Sequence, residues 1–242
     1  MKASYGLDAP GFFPVALTVL FANLALGIWS RRPGPFVGAA VLLLCIAFFL
    51  HSTRRGKFLV WRDLLDGLRL RGDERILDLG CGRGAVLLSA AGRLTTGRAF
   101  GVDIWSRTDQ SGNSPRAARD NAEIEGVRGR VALATGDMTA LPFRSESFDV
   151  IVSNVAVHNI RGIPRRLDAV GEAVRVLRPG GRLLLADLRS TRAYAAHLAS
   201  LGMSDVRRRG LGWRMWWGGP WGATRLVSAT KPTIMTKSTI MR

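Results

Sequence analysis

The chain has 242 residues, with 35 Lys+Arg against 18 Asp+Glu for a formal charge of +17, and 47% of it is hydrophobic. That apolar share excludes a disordered basic tail, and the 22% of charged residues excludes a bundle immersed wholly in lipid. The excess charge calls for a polyanionic partner, either nucleic acid or the anionic face of a membrane, and composition does not choose between them.

No charge occurs from Ala9 to Ser30, and residues 12–29 read FFPVALTVLFANLALGIW. At about 1.5 Å per residue this run crosses most of a ~30 Å hydrocarbon layer. A second uncharged run covers residues 33–53 and is most apolar at 36–50. Between them RRPGP at 31–35 predicts a tight turn with Pro able to start the next helix, so the two helices form an antiparallel hairpin. Gly27, Gly38, Ala39 and Ala40 would let the helices approach closely. Lys2 before an apolar run also suits a cleaved leader, but the second run and the domain behind it favour a retained membrane hairpin over residues 1–53. Arg54, Arg55, Lys57 and Arg62 follow at once, and the positive-inside rule puts them and the following domain in the cytoplasm. Arg31 and Arg32 then face outside against that rule, which leaves a re-entrant hairpin open.

From Arg75 onward short β-rich runs alternate with amphipathic helical stretches. Strands are expected at 75–79 (RILDL), 99–104 (AFGVDI), 130–135 (RVALAT), 148–153 (FDVIVS) and 182–187 (RLLLAD), and helices near 85–93, 115–125 and 164–177. This alternation predicts an α/β fold, a mostly parallel sheet covered on both faces, which binds ligands at the carboxyl ends of its strands. The first strand ends in Asp78-Leu79-Gly80-Cys81-Gly82-Arg83-Gly84, where alternate glycines let the backbone turn sharply and approach a ligand. The pattern is G-x-G-x-G, not the dinucleotide G-x-G-x-x-G. The second strand ends at Asp103, whose carboxylate can accept both hydroxyls of a ribose, so loop and acid together predict a nucleoside site. Cys45 and Cys81 have no disulfide or zinc spacing, His51, His158 and His197 are scattered, and no metal is expected.

With ILDLGCGRG, GVDIW, GDMTALPFRSESFDVIVSN and VRVLRPGGRLLLAD in this order, residues 54–231 resemble the class I S-adenosylmethionine-dependent methyltransferases. The resemblance implies a Rossmann-like seven-stranded sheet whose last two strands form an antiparallel hairpin near 205–211 and 223–230, with Pro179-Gly180-Gly181 as the turn before the fifth strand. It implies S-adenosyl-L-methionine as cofactor. Gly80, Cys81, Gly82 and Gly84 would wrap its methionine portion, Asp78 would position its ammonium group and Asp103 its ribose. Ile104 would lie against the adenine, Asp137 would take the adenine amino group, and the Met138 N–H would contact the ring. Asn154 and Val155 would border the sulfonium. His158, on the loop after the fourth strand, is the candidate base or acceptor contact because an imidazole titrates near neutrality, and Asp187 is a second candidate contact.

The fourth strand end lacks a [DNS]-P-P-[YFW] tetrapeptide, and SNVAVHNI is more similar to the segment in quinone, sterol and tocopherol C-methyltransferases. The expected acceptor is therefore a lipophilic or membrane-associated small molecule, and the expected polyanion is the anionic membrane surface, with nucleic acid not favoured. An RNA or protein methyltransferase and a non-catalytic cofactor-binding scaffold are the alternatives. The polar segment 105–117, with Asp109, Ser111, Asn113 and Ser114, is either a lid or an inert loop. Trp213, Trp216, Trp217 and Trp221 are four of the seven tryptophans and suit an apolar pocket or an interfacial anchor. Residues 232–242 are expected to be a tail.

Overall fold

The computed structural model describes residues 2–233, so most of the expected tail lies outside the described residues. Strands β1 (Arg75–Leu79), β2 (Arg98–Asp103), β3 (Val131–Thr135), β4 (Phe148–Asn154), β5 (Leu177–Asp187), β6 (Ser204–Gly210) and β7 (Arg225–Thr230) form one seven-stranded sheet in the order β3-β2-β1-β4-β5-β7-β6. The first five pair in parallel, while β7 runs antiparallel to both β5 and β6. This is the expected Rossmann-like architecture. The expected turn at Pro179-Gly180-Gly181 sits inside β5 as an irregularity: Phe148 pairs with Leu177 and Val150 already with Arg182. Gly180, at φ +79°, takes the left-handed conformation that this excursion requires.

Alternating side chains divide the apolar interior into two cores, one on each face of the sheet. Ile76, Val150 and Val152 point to one face, where α3 (Lys57–Gly67) and α4 (Ala85–Ala91) contribute Trp61, Leu65, Val86 and Leu87. Leu77, Leu79 and Ile151 point to the other, covered by Val170, Ala173 and Val176 of α6 (Ile163–Val176) and by Tyr194 and Leu198 of α7 (Thr191–Ser200). The helix α5 (Pro115–Ile124) starts at Ser114, whose Oγ accepts from Ala117 N at 3.1 Å, so this loop serine is an N-cap. Strand order reverses between β1 and β4, which opens a crevice at their carboxyl ends.

Helices α1 (Phe12–Ser30) and α2 (Pro33–His51) form the expected hairpin, and both are long and apolar enough to cross a membrane. The link is shorter than expected. Arg31, at φ 53°, ends α1, Arg32 is extended, and Pro33 already lies in the first turn of α2. A Cβ on Gly27 would lie 2.9 Å from the Phe36 ring and one on Gly38 2.8 Å from Asn23 Oδ1, so both glycines permit close packing as expected. Ala39 is buried between the helices, whereas Ala40 is on the exposed face.

Sequence patterning gave no sign that α2 continues into the domain. A π-helical turn, Ser52–Gly56, joins it to α3 without a break, so one helical run extends from Pro33 to Gly67. Trp61 and Leu65 then anchor that run in the core. The segment carrying the four clustered tryptophans closes on the same turn. Ser52 Oγ donates to Trp216 O at 2.9 Å, and Phe48–Trp216 and Phe49–Trp217 ring centroids lie 5.5 and 5.7 Å apart. A Cβ on Gly56 would come within 1.7 Å of the Arg214 carbonyl oxygen, so only glycine fits there. Gly56→Ala is therefore expected to cost about 1–3 kcal/mol, and a thermal melt of the full chain should show a midpoint lowered by several degrees.

Candidate cofactor and acceptor site

The β1/β4 crevice is a cavity of about 420 Å³, within the range of small-molecule sites. Asp78, Gly80, Cys81, Gly82, Asp103, Ile104, Asp137, Met138, Asn154, Val155 and His158 all line it. Two of the expected site residues do not. Gly84 lies behind the loop at the start of α4, where φ +91° and the close approach of Leu88 demand glycine. Asp187 is buried behind His158.

Asp78 is 2% exposed, and its Oδ1 has no hydrogen-bond partner. Burial pushes its carboxyl well above the usual carboxylate range, and the charge of Asp103 adds to this. A buried acceptor without a donor, facing a cavity, fits a ligand ammonium. Burial likewise raises the Cys81 thiol, so this cysteine serves as a small packing residue and not as a nucleophile.

Asp103 already serves the protein. Its Oδ2 accepts from Gly82 N at 2.8 Å, and its Oδ1 accepts from Asn113 Nδ2 at 3.2 Å and Trp105 N at 2.5 Å. A carboxylate has about four acceptor positions, which leaves room for a hydroxyl donor. Beside it Ile104 is 62% exposed, an apolar face of the kind that stacks on a base. Asp137 is exposed. Its carboxyl is held below the usual range chiefly by the Thr139 N–H, with Arg165 Nη2 also donating at 3.0 Å. Asn154 is held by Trp61, whose Nε1 donates to its Oδ1 at 2.8 Å. Val155 adopts φ +53°, a left-handed conformation unfavourable for a β-branched residue and pinned by its N–H to Ala186 O at 2.8 Å.

His158 sits on a short turn that Asp187 organises. The His158 backbone N donates to Asp187 Oδ2 at 2.9 Å, and its ring Nδ1 lies 2.7 Å from Asp187 Oδ1, off the straight line of an ideal hydrogen bond. Asp187 also accepts from Leu188 N at 2.8 Å and Tyr194 Oη at 3.3 Å, and Arg166 clamps the turn through the carbonyls of His158 and Ile160. An imidazole backed by a carboxylate at Nδ1 presents Nε2 as its other functional nitrogen.

Several lining residues carry no local sequence signal. Phe49 comes from the apolar hairpin, Lys57 from α3, and Asp8 and Ala9 from the residues before α1, whereas Trp217 comes from the tryptophan segment expected to suit an apolar pocket or an interfacial anchor. Lys57, expected among the exposed basic residues, is instead buried, with its Nζ 2.6 Å from Asp8 Oδ2. The 105–117 segment is likewise no free loop. Residues 7–9 pair with 109–111, Asn113 is buried, and Gln110 reaches the glycine loop.

The glycine loop and the acids Asp78, Asp103 and Asp137, with Asp78 Oδ1 left without a protein donor, meet in one β1/β4 crevice and resemble the cofactor site of a class I S-adenosylmethionine-dependent methyltransferase domain. Residues 77–185 match the family described as a methyltransferase domain. The chain is 36% identical over 127 residues to the ubiquinone/menaquinone biosynthesis C-methyltransferase UbiE of Dinoroseobacter shibae, covering 52% of this chain and 47% of that protein. It thus spans about half the length of the curated relatives it matches. Among solved structures, geranyl diphosphate methyltransferase in complex with S-adenosylmethionine superposes with a TM-score of 0.57 at 16% identity, covering 72% of this chain and 85% of that one. The [4+2]-cyclase SpnF has the same TM-score of 0.57 at 21% identity, covering 72% of this chain and 80% of that one. At these identities the likeness concerns the fold alone, and because the second neighbour is a cyclase by name, the fold by itself does not fix the reaction.

Proposed function

We propose that the protein is a membrane-anchored methyltransferase that moves a methyl group from S-adenosylmethionine to a lipophilic acceptor of the quinone type taken from the bilayer. The observation that carries this is Phe49. It belongs to the apolar hairpin, packs edge-to-face on Trp217 and lines the same cavity as Asp78 and His158. An apolar wall supplied by the hairpin's foot suits an acceptor that resides among lipid chains. The relatives named as ubiquinone/menaquinone C-methyltransferases favour the same acceptor class.

The hairpin, residues 1–53, is the anchor, and residues 54–231 form the catalytic unit on the cytoplasmic side. Val15, Phe21, Ile28, Val37 and Leu44 project outward from helices that are apolar all round, the pattern of a lipid-facing surface. At the hairpin's foot Arg54 and Arg55 are exposed, and Trp213 and Trp221 are 52% and 73% exposed, a composition suited to anionic headgroups and the interfacial belt. Lys57 does not join this set, because Asp8 engages it internally.

The bound cofactor supplies an already activated methyl group, so alignment of the acceptor provides much of the acceleration. Asp78 holds the ammonium, Asp103 takes a ribose hydroxyl and Ile104 supports the base. His158 Nε2 accepts the proton that the acceptor must lose, and Asp187 steadies the resulting imidazolium at Nδ1. The test is transfer of labelled methyl groups from S-adenosylmethionine by the full chain into vesicles containing a demethylated quinol. Label appearing in RNA or protein and not in the quinol would overturn the acceptor class. Trp217→Ala should raise the KM for the vesicle-borne acceptor by about tenfold, the equivalent of one buried aromatic contact, and leave cofactor affinity unchanged.

A further inference from the structure

The residues before α1 form a strap over the cofactor loop. Ser4 N donates to Asn121 Oδ1 at 2.9 Å, Asn121 Nδ2 returns to Ser4 O and also reaches Arg83 O, and Ser111 N donates to Leu7 O at 2.9 Å. Asp8 is where this strap meets the hairpin. Its Oδ2 accepts from Thr53 Oγ1 and Lys57 Nζ, both at 2.6 Å, and its Oδ1 accepts from Gln110 Nε2 at 3.0 Å. Gln110 Oε1 in turn accepts from Arg83 N at 2.8 Å, inside the glycine loop. A continuous polar chain therefore runs from the foot of the apolar hairpin to the cofactor loop.

Resting on the S-adenosylmethionine reading of the site, we propose that Asp8 is a positioning residue that couples the seating of the hairpin to cofactor affinity by holding Gln110 against the glycine loop. Three features support it. Thr53 and Lys57 are both 1% exposed, so the carboxylate meets donors already withdrawn from water. They lie four residues apart, on and just after the π-helical turn, so both face one side of the helix, and π turns of this kind recur at functional sites. Gln110 is oriented by charge on one side and a backbone N–H on the other, and a Cβ on Gly82 would come within 2.5 Å of its Oε1, so the loop and the glutamine fit each other closely. The hairpin is thus part of the cofactor site as well as an anchor.

The experiment measures S-adenosylmethionine affinity by calorimetry, together with thermal midpoint and amide exchange at Arg83, on the full chain in nanodiscs. Asp8→Ala paired with Lys57→Met removes both charges, so no lone charge stays buried. This variant should keep a cooperative melt, lose cofactor affinity at least tenfold and exchange the Arg83 amide at least tenfold faster. Gln110→Ala, which leaves the Asp8–Lys57 pair intact, should lose affinity to a similar extent, and combining all three changes should add little, as for members of one chain. Wild-type affinity in Gln110→Ala or in the folded double variant, or fully additive losses, would overturn the proposal. Failure of the wild type to bind S-adenosylmethionine would overturn the cofactor reading beneath it, which is a separate result.

Discussion

Asp78→Asn is expected to lower S-adenosylmethionine affinity by a hundred- to a thousandfold while raising the thermal midpoint of the cofactor-free protein at neutral pH. The loss follows from removing one partner of a buried charge pair, about 3–5 kcal/mol. The gain follows from the carboxyl's own situation, since burial raises its pKa well above the ordinary value and Oδ1 has no protein donor. With the folded pKa above the unfolded one, the group's contribution to stability is complete below the ordinary carboxylate pKa. That contribution is lost as pH rises through the elevated folded value. Asparagine removes this penalty. Because an ammonium selects the ionised carboxylate, cofactor binding below that elevated pKa must release a proton, and affinity must weaken as pH falls. Calorimetry in buffers of different ionisation enthalpy reads the proton directly. Affinity in Asp78→Asn within threefold of wild type would eliminate the carboxylate as the ammonium's partner.

His158→Ala is expected to reduce kcat by a factor of about 10² to 10⁴, the usual worth of a positioned general base, with cofactor affinity unchanged. Asp187→Asn should show a smaller rate loss accompanied by lower stability. Its two oxygens serve the backbone of His158 and Leu188 and the Tyr194 hydroxyl, and an amide cannot accept from all three on the same terms. Single-turnover measurements with saturating cofactor separate the two effects. A loss below tenfold in His158→Ala would leave the histidine as a wall of the acceptor pocket and assign the rate to alignment alone.

These expectations concern residues of unequal legibility. Asp78, Gly80, Gly82 and Asp103 stand at strand ends, next to turns that a short glycine pattern marks, so the chain declares them locally. His158 follows one recognisable strand and Asp187 ends the next, but their 2.7 Å approach depends on β4 and β5 lying side by side. Phe49 is indistinguishable in sequence from its apolar neighbours, because a residue facing lipid and one facing a cavity obey the same composition rule. Lys57 reads as one more cytoplasmic charge until Asp8, from the segment before α1, is found to neutralise it. The same blindness covers the α2–α3 continuity, where basic residues suggest a linker and the π turn instead keeps the helix unbroken.

The charge and apolar excess of the chain thus divide differently from their first appearance. Sequence alone determined the hairpin, the parallel sheet and the strand-end acids, since each is written in periodicity, glycine placement and short-range spacing. Tertiary structure alone decided that the strap, the hairpin's foot and the tryptophan segment wall one cavity with those acids. Those contacts join residues far apart in the chain, and they depend on packing and hydrogen-bond geometry that no local pattern encodes.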